Sequence, residues 1–177
     1  LARMELEPHP SPIRSNPLWY NIFDGRAEGF ATGFEEMMMH AGLFDNRPQA
    51  RELVWILLAQ RAARALGGLY QHGGVMTLEE ATKFADKWTP RGYLPWDGST
   101  IQHEQHFYLR QPAYGTSYVI GKLEVERLFA EYAREKGDAF SLYDFMDEFN
   151  KAGMIPVSLM NWEMNNIDSD IQQIMGQ

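Results

Sequence analysis

A helical stretch that combines glycines with carboxylates is the first place in this sequence where chemistry could occur. Read at about 100° per residue, the stretch that starts at Asp24 puts Gly25, Gly29 and Gly33 on one side, with Glu28 at its edge. Glycine costs a helix about 1 kcal/mol relative to alanine, but at four-residue spacing it lets a backbone or ligand approach closely. We therefore expect this side to be covered, so that Glu28 is partly buried and needs a cation, a hydrogen-bond donor or a metal. A solvated acidic face is the alternative interpretation.

The other side of the same predicted helix is an apolar stripe that we expect to face the core. Its members are Phe23, Ala27, Phe30, Phe34, Met37, Met38 and Ala41.

A second group of candidate residues combines phenols with a guanidinium. Its members are Tyr108, Arg110, Tyr114 and Tyr118. Tyr114 and Tyr118 are one helical turn apart. A phenol can donate a hydrogen bond to a developing oxyanion, and arginine can bind a carboxylate through two parallel hydrogen bonds. Taken alone, however, the pattern favours tyrosines at the edge of a core.

The histidines offer one cluster, His103 and His106, which a helix would place on one side. Zinc-binding helices more often carry H-E-x-x-H, with histidines four residues apart, and that motif is absent from this sequence. We interpret the pair as part of a polar helix face.

Composition limits the classes of function. The chain has 177 residues, of which 45% are hydrophobic and 23% charged, as is typical of one compact domain. A net charge of -8 argues against a nucleic-acid backbone as partner. The longest apolar run, Leu53–Ala59, is too short to span a membrane. Without cysteine, the sequence excludes disulfides and thiolate metal sites.

The periodicity and capping signals predict an all-α fold, a helical bundle without strands. Residues 1–17 contain four prolines and are predicted to be a connector, 18–164 a helical domain, and 165–177 a tail without clear periodicity. Because residue 1 is leucine rather than an initiator methionine, we expect the chain to be cut from a longer one or to be processed. The predicted helices cover approximately residues 18–41, 46–72, 77–88, 100–110, 112–136, 141–153 and 156–164.

Three segments resemble a bacterial family of helical proteins, a domain of unknown function numbered eight-eight-five. Glu28–Glu35 resembles its E-G-W-A-x-Y-x-E segment, and Pro112–Gly121 resembles P-G-Q-A-x-x-Y-x-I-G. Gly153–Val157 resembles its G-x-x-P-L turn. The order and separation of the segments also fit, over nearly the whole chain.

That family is similar to helical zinc peptidases such as carboxypeptidase Taq, thimet oligopeptidase and angiotensin-converting enzyme. Its members carry an H-E-x-x-P-G-H-H metal helix before the E-G-W-A segment. The resemblance implies that this chain is the C-terminal part of a larger metallopeptidase-like domain, with Glu28 as third zinc ligand and Tyr118 as oxyanion donor. Two histidine ligands and the general-base glutamate would lie in the missing N-terminal part, whose metal helix would cover the glycine side. The substrate-binding residues for a peptide would be Tyr108, Arg110 and Tyr114.

The sequence departs from the family pattern at four positions. Phe30 replaces tryptophan, Gly33 replaces tyrosine, Tyr114 replaces glutamine, and Val119 replaces a basic residue. These departures bear on substrate preference more than on the metal site.

The resemblance therefore implies a zinc-dependent peptidase whose partners are a peptide substrate and the N-terminal part of the same protein. By itself the chain should bind zinc weakly and be inactive, because a catalytic zinc site usually needs three protein ligands. The alternatives are a non-catalytic helical interaction module and a diverged, inactive peptidase homologue.

Overall fold

The computed structural model describes residues 10, 11, 14 and 24–176. These residues form helices and connecting turns and contain no strand, which confirms the all-α prediction. Two short 3₁₀ turns lie at Pro90–Gly92 and Gly137–Ala139. The helices are α1 (Asp24–His40), α2 (Pro48–His72), α3 (Leu78–Trp88), α4 (Ser99–Arg110), α5 (Tyr114–Lys136), α6 (Leu142–Lys151), α7 (Val157–Asn165) and α8 (Ser169–Met175).

The predicted helices after the first agree with α2 to α7 within a few residues. The capping box that predicted α3 is present: the Thr77 hydroxyl accepts from the Glu80 amide, and the Glu80 carboxylate accepts from the Thr77 amide. The tail contains α8, which its weak periodicity did not predict. Most of the predicted connector, and residues 18–23 of the first predicted helix, lie outside the described residues.

The glycine side of α1 is covered, as predicted, but by α5 of the same chain. A Cβ on Gly29 would lie 2.2 Å from the carbonyl carbon of Gly121, and one on Gly121 would lie 2.0 Å from the Gly25 carbonyl oxygen. The two backbones therefore touch where the helices meet. The expectation that a separate metal helix covers this side is wrong at Gly25 and Gly29, because Gly121 already occupies the contact.

The apolar stripe of α1 is less buried than predicted. The buried residues of α1 are Arg26, Gly29, Thr32, Gly33 and Met39. Phe30 packs beside the core, where its ring centroid is 4.9 Å from that of Phe149, but Phe34 is 36% exposed. Close backbone approach at the glycines decides which side of α1 faces its neighbour, so the bulky stripe lies at the edge of the contact. Phe23 lies outside the described residues.

Helix α5 connects two groups of packed side chains. A larger apolar core joins its second half to α6 and α7 and contains Val125, Leu128, Tyr132, Phe145, Phe149, Ala152, Ile155, Val157 and Met160. A smaller core joins α2, α3, α4 and the loop before α4 and contains Ala63, Ala85, Leu94 and Ile101. The first half of α5 contacts α1 at Gly121 and α2 at Gly115. Side chains from three distant parts of the sequence therefore meet there.

Candidate functional site

The Glu28 carboxylate is bound by Tyr114. Glu28 lies on α1 and Tyr114 in the first turn of α5, and the Tyr114 hydroxyl donates a hydrogen bond to Glu28 Oε1 across 86 residues of sequence. Both side chains are partly buried. Burial, and next the hydrogen bond to Glu28, raise the pKa of Tyr114 above its ordinary value. The phenol therefore remains a proton donor at neutral pH, and Glu28 has the donor partner that partial burial requires.

Tyr118 lies one turn further along α5, with its ring centroid 5.8 Å from that of Tyr114. Burial, and next the charge of Glu28, raise the pKa of Tyr118. Its hydroxyl is therefore also protonated at neutral pH. A protonated phenol in a half-buried setting can donate a hydrogen bond to an oxyanion.

Two arginines of α2 flank the Tyr118 ring. The guanidinium carbon of Arg61 is 5.6 Å from the ring centroid and that of Arg64 is 5.7 Å from it. Arg61 binds Glu35 through two hydrogen bonds of 2.5 and 2.9 Å. Arg64, only 7% exposed, pairs with Glu104 at 2.7 Å. The site is therefore a half-buried polar cluster of carboxylates, phenols and guanidinium groups between α1, α2, α4 and α5.

Neither arginine is among the site residues predicted from the sequence. The available signal was their spacing: Arg61 and Arg64 are three residues apart, so they share one side of a helix that is otherwise mostly apolar. Charged side chains in such a position require buried partners.

Tyr108 lies behind this cluster, 1% exposed and 5.9 Å from the Arg64 guanidinium carbon. Burial raises its pKa. A Cβ on Gly115 would lie 2.7 Å from the Tyr108 ring, so the ring packs directly on the α5 backbone. Tyr108 is a support for the site, whereas Tyr114 and Tyr118 are accessible parts of it.

The structure does not bring the other predicted polar residues into the cluster. Arg110 is exposed at the end of α4 and makes no ion pair or hydrogen bond within the described part of the chain. His103 and His106 are exposed on α4, as expected for a polar helix face.

The donor set can be compared with that of a zinc site. Among residues 24–176 and the few described before them, no three histidine, cysteine, aspartate or glutamate side chains are grouped to hold a metal. Glu28 is one carboxylate, and a catalytic zinc site usually takes three protein ligands. Among the described residues, Glu28 therefore has no second and third metal-binding side chain grouped with it.

The sequence profile of the family described as "Bacterial protein of unknown function (DUF885)" matches residues 6–164. The chain belongs to this family. This match confirms the family that the three sequence segments indicated. All residues of the polar cluster lie within the matched range.

No curated protein and no solved structure matches this DUF885 chain. Among its described helices, none is long and apolar enough to cross a membrane.

Proposed function

We propose that this chain is the C-terminal part of a zinc-dependent peptidase, with Glu28 as one metal ligand and Tyr118 as oxyanion donor. When bound, zinc would supply the activated water that attacks a peptide carbonyl. The remaining ligands would come from a metal helix outside this chain. The observation that carries the proposal is that α1 and α5 bring Glu28, Tyr114 and Tyr118 together in one half-buried cluster.

The surroundings of Glu28 suit a ligand. Its carboxylate is partly buried and accepts a hydrogen bond from the neutral Tyr114 hydroxyl at one oxygen. Carboxylates that bind metals are commonly oriented by such an outer hydrogen bond. Tyr114 would thus orient Glu28, whose other carboxylate oxygen accepts no hydrogen bond from the described part of the chain.

The surroundings of Tyr118 suit an oxyanion donor. Its pKa is raised, so the proton is retained, and two guanidinium groups flank its ring. Positive charge beside a donor stabilises the negative charge that develops on a carbonyl oxygen. These side chains would bind and orient the peptide carbonyl, whereas the general base would lie in the N-terminal part of the complete protein.

A non-catalytic interaction module is the second candidate function, and one surface favours it. Between α2 and α5 lies an apolar groove of about 260 Å³. Leu66, Leu69 and Ile120 border it and are 45%, 48% and 53% exposed. Apolar side chains clustered in this way often mark an interaction surface. A diverged homologue without activity would retain this groove and the helical fold.

Metal content of the complete protein separates these functions. Glu28→Gln keeps the shape of the side chain but removes its charge, so zinc measured by elemental analysis should fall well below one per chain. Glu36→Gln is the control, because Glu36 lies on the same helix and its carboxylate is bound by Lys122 at 2.9 Å. If Glu28→Gln retains stoichiometric zinc, Glu28 is not a ligand. If wild-type protein holds no zinc, the interaction module becomes the better account.

A further inference from the structure

A forked ion pair lies at the edge of the Glu28–Tyr118 cluster. The two hydrogen bonds between Arg61 and Glu35, at 2.5 and 2.9 Å, have the parallel geometry with which arginine binds carboxylates in general. The Glu35 side chain is 36% exposed and that of Arg61 is 16% exposed. The carboxylate is therefore the outer partner, and the guanidinium is the inner one.

The position of this pair relates it to the proposed chemistry. Glu35 follows Glu28 by seven residues, which places both on the same side of α1 about 10 Å apart along the axis. The Arg61 guanidinium lies against Tyr118, and the charge of Glu28 also acts on it. Arg61 is thus a cation close to the proposed oxyanion donor, and the charge of Glu28 reaches it.

The energetics favour exchange of the outer carboxylate. Glu35 is the more hydrated partner of this pair, and a peptide carboxylate would offer Arg61 the same two hydrogen-bond acceptors, so that exchange would leave neither charge buried and unpaired. The neighbouring pair of Arg64 and Glu104 is more enclosed, with side chains 8% and 27% exposed. Because removing one partner of a buried pair leaves the other charge unpaired, exchange should be less favourable at Arg64, whose side chain is 8% exposed, than at Arg61, whose side chain is 16% exposed.

We propose that Arg61 is the carboxylate-recognition residue of this site, and that it exchanges Glu35 for the terminal carboxylate of a peptide. The site would then select peptides whose free C terminus lies close to the cleaved bond. The cleavage rests on the proposed peptidase function, whereas recognition of a carboxylate by Arg61 can be tested by binding alone.

The probes are N-acetyl-alanyl-alanine and its C-terminal amide, titrated separately into the complete protein and followed by NMR. Wild type should bind the acid and not the amide. Arg61→Gln should weaken acid binding at least about tenfold, since a charge-assisted pair is lost. Glu35→Gln should strengthen it several-fold, because the competing carboxylate is removed. The control is Arg51→Gln, which breaks the exposed pair with Asp45 and should leave the affinity unchanged.

Opposite effects at the two partners distinguish recognition from a structural ion pair. Glu35→Gln and Arg61→Gln would both weaken binding if the pair only held the helices together, and that result would overturn the proposal. Equal affinity for acid and amide, or no binding of the acid, would also overturn it. Circular dichroism shows whether Arg61→Gln folds. If it does not, the difference in affinity between acid and amide, together with the direction of the Glu35→Gln effect, still distinguishes carboxylate recognition from a structural ion pair. Metal retention in the Glu28 variant tests the peptidase function separately.

Discussion

The contact between α1 and α5 predicts opposite effects of alanine at two glycines one turn apart. At Gly29 an added Cβ would lie 2.2 Å from the Gly121 carbonyl carbon, whereas ordinary contact begins at 3.4 Å. The difference, 3.4 minus 2.2, means that the helices must separate by about 1.2 Å. The neighbour is backbone and cannot turn aside, so we place the overpacking penalty at about 3 kcal/mol, the upper end of its usual range.

Helix propensity offsets part of that penalty. Alanine stabilises a helix interior by about 1 kcal/mol relative to glycine, so Gly29→Ala should lower the free energy of unfolding by about 2 kcal/mol. For a chain of this size the melting temperature should fall by roughly 4–8 °C. At Gly33 the nearest atom to an added Cβ is the flexible Lys122 Cγ at 3.7 Å, which is an ordinary contact. Gly33→Ala should therefore stabilise the chain by about 1 kcal/mol.

Thermal and urea unfolding of the two variants, followed by circular dichroism, measures both effects. Gly33→Ala is the matched control, because it adds the same methyl group to the same helix. A Gly29→Ala variant as stable as wild type would refute the reasoning, since it would mean that the two backbones are not in contact. Equal destabilisation by both substitutions would refute it too, because then the distance to Gly121 would not be the cause.

Three further predictions concern single side chains. In the complete protein, Tyr118→Phe should lower kcat and kcat/KM on a peptide substrate together, by about 10²–10³, with little change in melting temperature. Tyr143→Phe is the control and should change neither kinetic constant, because Tyr143 is 73% exposed. Burial, and next the charge of Glu28, raise the pKa of Asp24 from an ordinary 3.8 to about 6. The folded chain therefore binds this proton more tightly than the unfolded chain, and the free energy of unfolding should fall as pH rises from 3.8 to about 6. Asp24→Asn should remove this dependence in pH-resolved urea titrations and, allowing for partial exposure, be about 1 kcal/mol more stable than wild type at pH 7. Thr77→Ala removes the hydroxyl of the α3 capping box and should cost about 1 kcal/mol in the same assay, and an unchanged stability would show that Glu80 alone suffices as a cap.

Local sequence signals determined most of the secondary structure. The Thr77–Glu80 pair predicted the start of α3, and Gly137 predicted the end of α5. Such signals succeed because capping bonds and backbone conformations involve residues close in sequence. The four-residue glycine spacing also indicated a close contact on α1, since only glycine permits it. It could not identify Gly121 as the neighbour, because helix packing joins segments far apart in the chain.

The composition of the site was decided by tertiary structure. Sequence proximity grouped Arg110 with the tyrosines, but the chain turns at Ala113, where φ is +67°, and leaves Arg110 exposed at the end of α4. Arg61 and Arg64 occupy the place beside Tyr118 instead, because α2 packs on α5. Periodicity can show which side of a helix carries a charge. Only the packing of one helix on another decides which charges from distant segments meet.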